Sequence, residues 1–145
     1  MNIKKLNASD IKLIIPSYIE YFNTHEGARW TDQKVERRLL QLIMREDCLG
    51  LLMIDKEDFV GFVVGQLIQY EDGLVFDLNE LFIADKYQNK GHGSKLLNAI
   101  EIEAKAKGAF RIQLTAENDE KHHRFYNDKH GYFDCSNNLF KAKQL

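Results

Sequence analysis

Apolar residues recur along this chain with two different periods. Ile11, Ile14, Ile15, Tyr18, Ile19 and Phe22 fall at helical spacing behind Ser9, a suitable capping residue. Pro16, the single proline, sits inside that pattern and predicts a kink or an interruption. Thr31 is placed to cap a second helix carrying Val35, Leu39, Leu42 and Ile43. Asn2–Leu6 reads as a short strand. Leu49–Asp55 and Phe59–Gln69 read as two strands joined by the polar turn Lys56-Glu57-Asp58. Tyr70–Gly73 predicts another turn, leading into a strand whose buried part is Leu78–Ile83. Helical spacing returns at Leu96, Leu97, Ile100 and Ala104 and ends at Gly108. Arg111–Thr115 is again strand, and Asp119–His130 a last helix closed by Gly131. Tyr132–Cys135 and Phe140–Lys143 predict a hairpin across Ser136-Asn137-Asn138.

This order, β-α-α-β-β-β-α-β-α-β-β, predicts an α/β (α+β) fold with a sheet of mixed direction. With no repeat, linker or low-complexity tract, residues 1–145 read as a single domain. Hydrophobic residues make up 44% and charged residues 29%, the balance of a globular protein with a solvated surface. A net charge of -2 gives no reason to expect nucleic acid as a partner. No apolar run approaches the ~20 residues of a membrane span, and the N-terminus, Met1-Asn2-Ile3-Lys4-Lys5, lacks the long apolar core expected of a signal peptide. Two cysteines, Cys48 and Cys135, do not make a disulfide framework, so a reducing cytoplasm is the expected compartment.

The chemistry concentrates between the Leu78–Ile83 strand and the helix that follows it. There the chain reads Gln88-Asn89-Lys90-Gly91-His92-Gly93-Ser94. Glycine admits close approach and positive φ, while a helix start offers unpaired N–H groups and the positive end of the macrodipole. With Lys90 and Lys95 alongside, this is a phosphate site. It is neither a Walker A loop, whose glycine spacing is absent, nor a dinucleotide fingerprint, which would need Gly or Ala where Leu96 stands.

The run Gln88-Asn89-Lys90-Gly91-His92-Gly93 resembles the Gln/Arg-x-x-Gly-x-Gly/Ala loop of the GNAT N-acetyltransferase superfamily. The preceding strand, Leu78-Asn79-Glu80-Leu81-Phe82-Ile83, and the later Phe125-Tyr126 and Gly131-Tyr132 are similar to that family as well. The likeness is good over the C-terminal two-thirds and loose before it. It implies a mixed, largely antiparallel central sheet flanked by about four helices. It also implies acetyl-CoA as co-substrate, no metal, and transfer of acetyl to a primary amine by direct attack in a ternary complex.

The resemblance also implies site residues. The backbone from Gln88 to Ser94 would hold the pyrophosphate, and N–H groups of Leu81, Phe82 and Ile83 the thioester carbonyl. Asn118, about two helical turns before Tyr126, matches a position that contacts the pantetheine arm. Tyr126 is the candidate general acid, or else an aromatic packed on the coenzyme; Phe125 reads more as core. Glu80 is the candidate base, or equally a group that only orients the acceptor. Tyr21, His25, Glu26 and Trp30 form a polar-aromatic set suited to an amine, although Trp30 serves as well as an anchor before Thr31. The expected acceptor is a small molecule. A protein lysine or N-terminus, and a coenzyme A sensor without turnover, are the alternatives. A homodimer is compatible with the resemblance. His122, His123 and His130 lack metal-ligand spacing and read as a solvated helix face.

Overall fold

Every position of residues 59–65 is buried, as expected of a central strand covered on both faces. The computed structural model describes residues 1–145. Its strands are β1 (Asn2–Lys5), β2 (Cys48–Asp55), β3 (Asp58–Tyr70), β4 (Gly73–Ile83) and β5 (Ala109–Leu114). They lie in the order β1-β2-β3-β4-β5, antiparallel through β4, while β5 runs parallel to β4. A parallel neighbour needs a crossover, and helix α3 (His92–Ala106) supplies it. The earlier helices are α1 (Ile11–His25) and α2 (Asp32–Ile43).

Chain contacts gather into two compact units, Met1–Leu114 and Thr115–Leu145. In the first, Ile11, Ile14 and Tyr18 of α1 and Val35, Leu39 and Leu42 of α2 form a core with Leu52, Phe62, Val64 and Phe82. Leu96, Leu97, Ile100 and Ala104 are the buried stripe of α3, which packs on β2 through β5. The second unit holds α4 (Glu120–His123), which continues as a π-helical turn over Arg124–Lys129. Asp119 caps it by accepting from the His122 N–H at 2.8 Å, and Gly131 leaves it at φ +75°.

Three local expectations change. Pro16 does not interrupt α1, which runs unbroken through it with Ile14 and Tyr18 buried on either side. Entry into that helix is set by Asp10 rather than Ser9: the Asp10 carboxylate accepts from the Asn7 N–H at 2.8 Å, closing a 3-10 turn over Ala8–Asp10. Near the C-terminus the turn at Cys135–Asn138 is present, with Asn138 N–H on the Cys135 carbonyl at 3.2 Å. No strand ladder joins Tyr132–Cys135 to Phe140–Lys143; turn residues mark the reversal, but strands need a register that holds them.

One irregularity positions the site. Val64 pairs with Glu80 but Gly65 pairs with Leu78, so Asn79 is an extra residue in β4. This is a β-bulge, which bends the strand and re-aims its side chains. Gly65 permits it. A Cβ there would lie 2.4 Å from the Asp77 carbonyl oxygen and 2.5 Å from the Phe76 ring.

Candidate active site

Beyond the bulge, β4 keeps its partner on one edge only. Pairing with β5 stops at Leu78–Leu114, whereas pairing with β3 continues to Gly61–Ile83. Ala84 N–H bonds the Val60 carbonyl at 2.8 Å, so by strand alternation Phe82 also faces β3, and Leu81 and Ile83 face the other edge. On that edge the Ile83 carbonyl accepts from the Gln88 side chain at 3.0 Å. Leu81 therefore presents its N–H where the β5 ladder has ended. Phe82 contributes a ring to the core instead.

The chain then turns through a 3-10 segment, Asp85–Tyr87, into the glycine-rich run. Asn89 at φ +60° and Gly91 at φ +86° are both left-handed, and Gly91 is the N-cap of α3. A Cβ at Gly91 would meet nothing within 4 Å, so backbone conformation and an open approach, not crowding, favour glycine there. Helical bonding starts at Lys95 N–H to the Gly91 carbonyl, 3.2 Å, which leaves the N–H groups of His92 and Gly93 ahead of it as donors at the helix end. The Lys90 ammonium bonds the Lys86 carbonyl at 3.0 Å. Outside the loop, Asp58 at the start of β3 accepts from Lys86 at 2.5 Å and from the Tyr87 hydroxyl at 3.0 Å. These bonds hold the Asp58 carboxyl below the usual range and, through Asp58, the Lys86 ammonium above it.

His92 is only 9% exposed, its ring edge-on to Tyr87 at 5.9 Å, and its Nδ1 has no hydrogen-bond partner. Burial lowers its pKa below 6.5, helped by the charges of Lys95 and Lys90.

On the α1–α2 side of the sheet, Glu80 is held at both oxygens. Tyr18 of α1 donates to Oε1 at 2.7 Å, and Arg38 of α2 donates through Nε to Oε2 at 2.9 Å. Burial, and then Glu80, push the Tyr18 phenol far above its ordinary pKa, so it keeps its proton. The neighbouring bulge residue Asn79 accepts from Arg45 at 2.5 Å. Trp30 is fixed by Asn23, whose side chain bonds both its N–H and its carbonyl at 2.9 Å, and its ring stands edge-on to Tyr18 at 5.5 Å. Tyr21 contacts Phe82 at 5.7 Å and His25 at 5.2 Å. His25 reaches Asp85 at 3.6 Å, which links the end of α1 to the turn before the loop. Glu26 is exposed at the α1 C-cap. In the second unit, Tyr126 contacts Phe125 at 4.9 Å and Tyr132 at 5.5 Å. Its pKa is raised by burial. Asn118 is exposed, immediately before the cap residue Asp119.

The sequence profile of the acetyltransferase (GNAT) family matches residues 13–132. The chain belongs to the GNAT acetyltransferase family. It is 26% identical over 136 residues to the uncharacterized N-acetyltransferase YhfO of Bacillus subtilis (strain 168), covering 91% of this chain and 89% of that protein. Among solved structures it is similar to a GNAT family acetyltransferase of Staphylococcus aureus subsp. aureus USA300_TCH1516. The TM-score is 0.74 at 20% identity, over 99% of this chain and 98% of that one. It is similar also to the aminoglycoside N-acetyltransferase AAC(6')-Iy in complex with CoA, with TM-score 0.76, 13% identity, and 99% and 95% covered.

As a GNAT member the chain is an acyl-CoA-dependent N-acetyltransferase with the five-stranded, mostly antiparallel sheet and four helices described above. The loop fits a phosphate donor set: backbone N–H groups at a helix end, two nearby lysines, and an orphaned buried ring nitrogen at His92. No group of three or more His, Cys, Asp or Glu side chains is arranged to hold a metal ion. No helix is long and apolar enough to cross a membrane.

Sequence reasoning missed Tyr18 and Arg38, the two residues that grip Glu80. In the sequence Tyr18 reads only as an apolar position of α1, since its hydroxyl bond spans 62 residues. Arg38 left a faint signal. It lies three residues after Val35 and four before Leu42, so a charge falls on the inward stripe of α2.

Proposed function

We propose that this GNAT enzyme moves an acetyl group from acetyl-CoA to the primary amine of a small molecule, by direct attack within a ternary complex. The observation that carries the reading is the open edge of β4 at Leu81, continuous with the donor-lined start of α3. Acetyl-CoA supplies an activated thioester. Backbone from Gln88 to Ser94, with Lys90, serves its pyrophosphate, and the Leu81 N–H is a preset donor for charge growing on the thioester oxygen. Asn118 and Phe125 are assigned to the coenzyme as well, and Tyr21, Glu26 and Trp30 to the acceptor.

Proton traffic follows from the groups available. The amine must lose a proton before its nitrogen attacks. Glu80 takes it through a water, using lone pairs that Tyr18 and Arg38 do not occupy. The C–N bond forms, the C–S bond breaks and the departing thiolate takes a proton from Tyr126, while the second proton lost by the acylated nitrogen restores the phenol. Burial keeps the Tyr126 phenol protonated, so its proton is in place when the thiolate departs. Cys48 has no part in this scheme: burial raises its thiol pKa, away from the thiolate a nucleophile needs.

The test is release of free thiol from acetyl-CoA against polyamines, aminoglycosides, amino acids and lysine peptides, beside calorimetry of acetyl-CoA binding. Turnover with a small amine is expected, and replacing Cys48 and Cys135 together should leave it largely intact. Near-total loss in that double variant would sink direct attack. Failure to bind acetyl-CoA would sink the reading as a whole.

A further inference from the structure

The grip on Glu80 has a second side. Arg38 spends only its Nε on the carboxylate, so the two terminal nitrogens of the guanidinium remain donors. Its side chain is 42% exposed whereas that of Glu80 is 13% exposed, so the fork is the solvent-facing member of the pair. Arg45 stands beside the preceding residue, Asn79, which adds positive charge along the bulge. The one carboxylate between them, Glu80, already receives two donors. An acceptor approaching from the α2 side therefore meets cationic donors first.

Resting on the acetyl-transfer reading above, we infer that the acceptor is a small amine that carries its own carboxylate, and that Arg38 is the residue that selects it. The two groups that would hold it are placed at neighbouring positions of one strand. Arg38 is anchored at Glu80, and Leu81, whose N–H is the donor for the thioester oxygen, is the next residue of β4. Adjacent Cα atoms are only about 3.8 Å apart. An anion bound by the free fork and an amine at the thioester carbon are thus served from consecutive residues of β4, which suits one compact molecule carrying both groups. Guanidinium is suited to the task, because its fixed fork matches a carboxylate in two parallel bonds where an ammonium gives a point charge. A polycationic acceptor would be repelled by the same two arginines.

The experiment compares amino acids, their carboxamides and the same amines without the carboxyl group, plus an acidic peptide with a free N-terminus. All are assayed at saturating acetyl-CoA by thiol release. The wild type should favour the carboxylate acceptor over its amide by at least about tenfold in kcat/KM. In Arg38→Gln that ratio should fall toward one, and in Arg38→Lys it should keep an intermediate value. A ratio within one enzyme is independent of how much folded protein each preparation contains. Equal turnover of acid and amide by the wild type, or preference for a polyamine, overturns the inference and leaves acetyl transfer standing. Turnover of the peptide alone overturns the small-molecule form of it. Absence of acetyl-CoA binding would instead strike the parent reading.

Discussion

The two halves of the site are held together in opposite ways. The loop from Ile83 to Lys95 is built mainly from itself: Gln88 on Ile83, Lys90 on Lys86, Lys95 on Gly91, with Asp58, His25 and the Val60 carbonyl as its distant tethers. The bulge at Asn79–Glu80 is held from afar, by partners 34, 42 and 62 residues away in sequence. In the proposed reading the loop serves a group common to every substrate pair, for which local backbone suffices. The bulge, in the same reading, serves what differs between acceptors, and its surroundings are set by side chains of α1 and the α2 region. That contrast also explains what could be read beforehand. Gln88–Gly93 was legible because its meaning lies in adjacent residues and in glycine's conformational range. The clamp on Glu80 was not, since nothing within α1 says that the Tyr18 hydroxyl will meet a strand so far along the chain. The hairpin over Tyr132–Cys135 was overread for a related reason, because turn residues carry no information about a ladder partner.

The largest effect should come from the loop. Gly91→Glu combines a side chain at φ +86° with a negative charge at the helix end that serves the pyrophosphate. The left-handed conformation alone costs about 1–2 kcal/mol for an L residue. With charge repulsion added, acetyl-CoA affinity should fall by more than ~100-fold in calorimetry. Unchanged affinity would remove the loop from the site and erase the comparison.

Next is the bulge. Gly65→Ala places a Cβ 2.4 Å from the Asp77 carbonyl oxygen, a backbone atom that cannot swing away. Stability should fall by about 2–3 kcal/mol, as for other overpacked sites. Thermal unfolding followed by circular dichroism measures it. An unaltered melting temperature would mean that the bulge yields easily and does not fix Glu80.

Smaller and more discriminating changes follow at the side chains of the proposed proton traffic. Tyr18→Phe removes one of two donors to Glu80 while the ring stays in the core, so the acceptor's kcat/KM should drop roughly tenfold, about the worth of a bond to a charged group. No change would make Tyr18 a packing residue. Tyr126→Phe should lower kcat more than it raises KM if the phenol gives its proton to the leaving thiolate. A rise in KM alone would demote it to a surface against which the coenzyme rests.

The smallest effect tests whether the loop is as self-contained as it looks. His92 is buried with an unpartnered Nδ1, and its folded pKa lies below the ordinary 6.5, first because burial penalises the charged ring and then because Lys95 and Lys90 repel it. The unfolded chain takes up this proton more readily than the folded one. The stabilising contribution is therefore complete above the unfolded value near 6.5, and is lost as pH falls through the lower folded value. Melting temperatures measured from pH 7.5 downward should decline across that window, and His92→Gln, which cannot titrate, should flatten part of the decline. Coenzyme A sharpens the point. An anion held by the adjacent helix end favours a protonated ring, so saturating coenzyme should shrink the wild-type decline and leave that of the variant unchanged. If coenzyme alters both slopes alike, His92 is a packing residue under the loop, and the phosphate site is built from backbone and lysines alone.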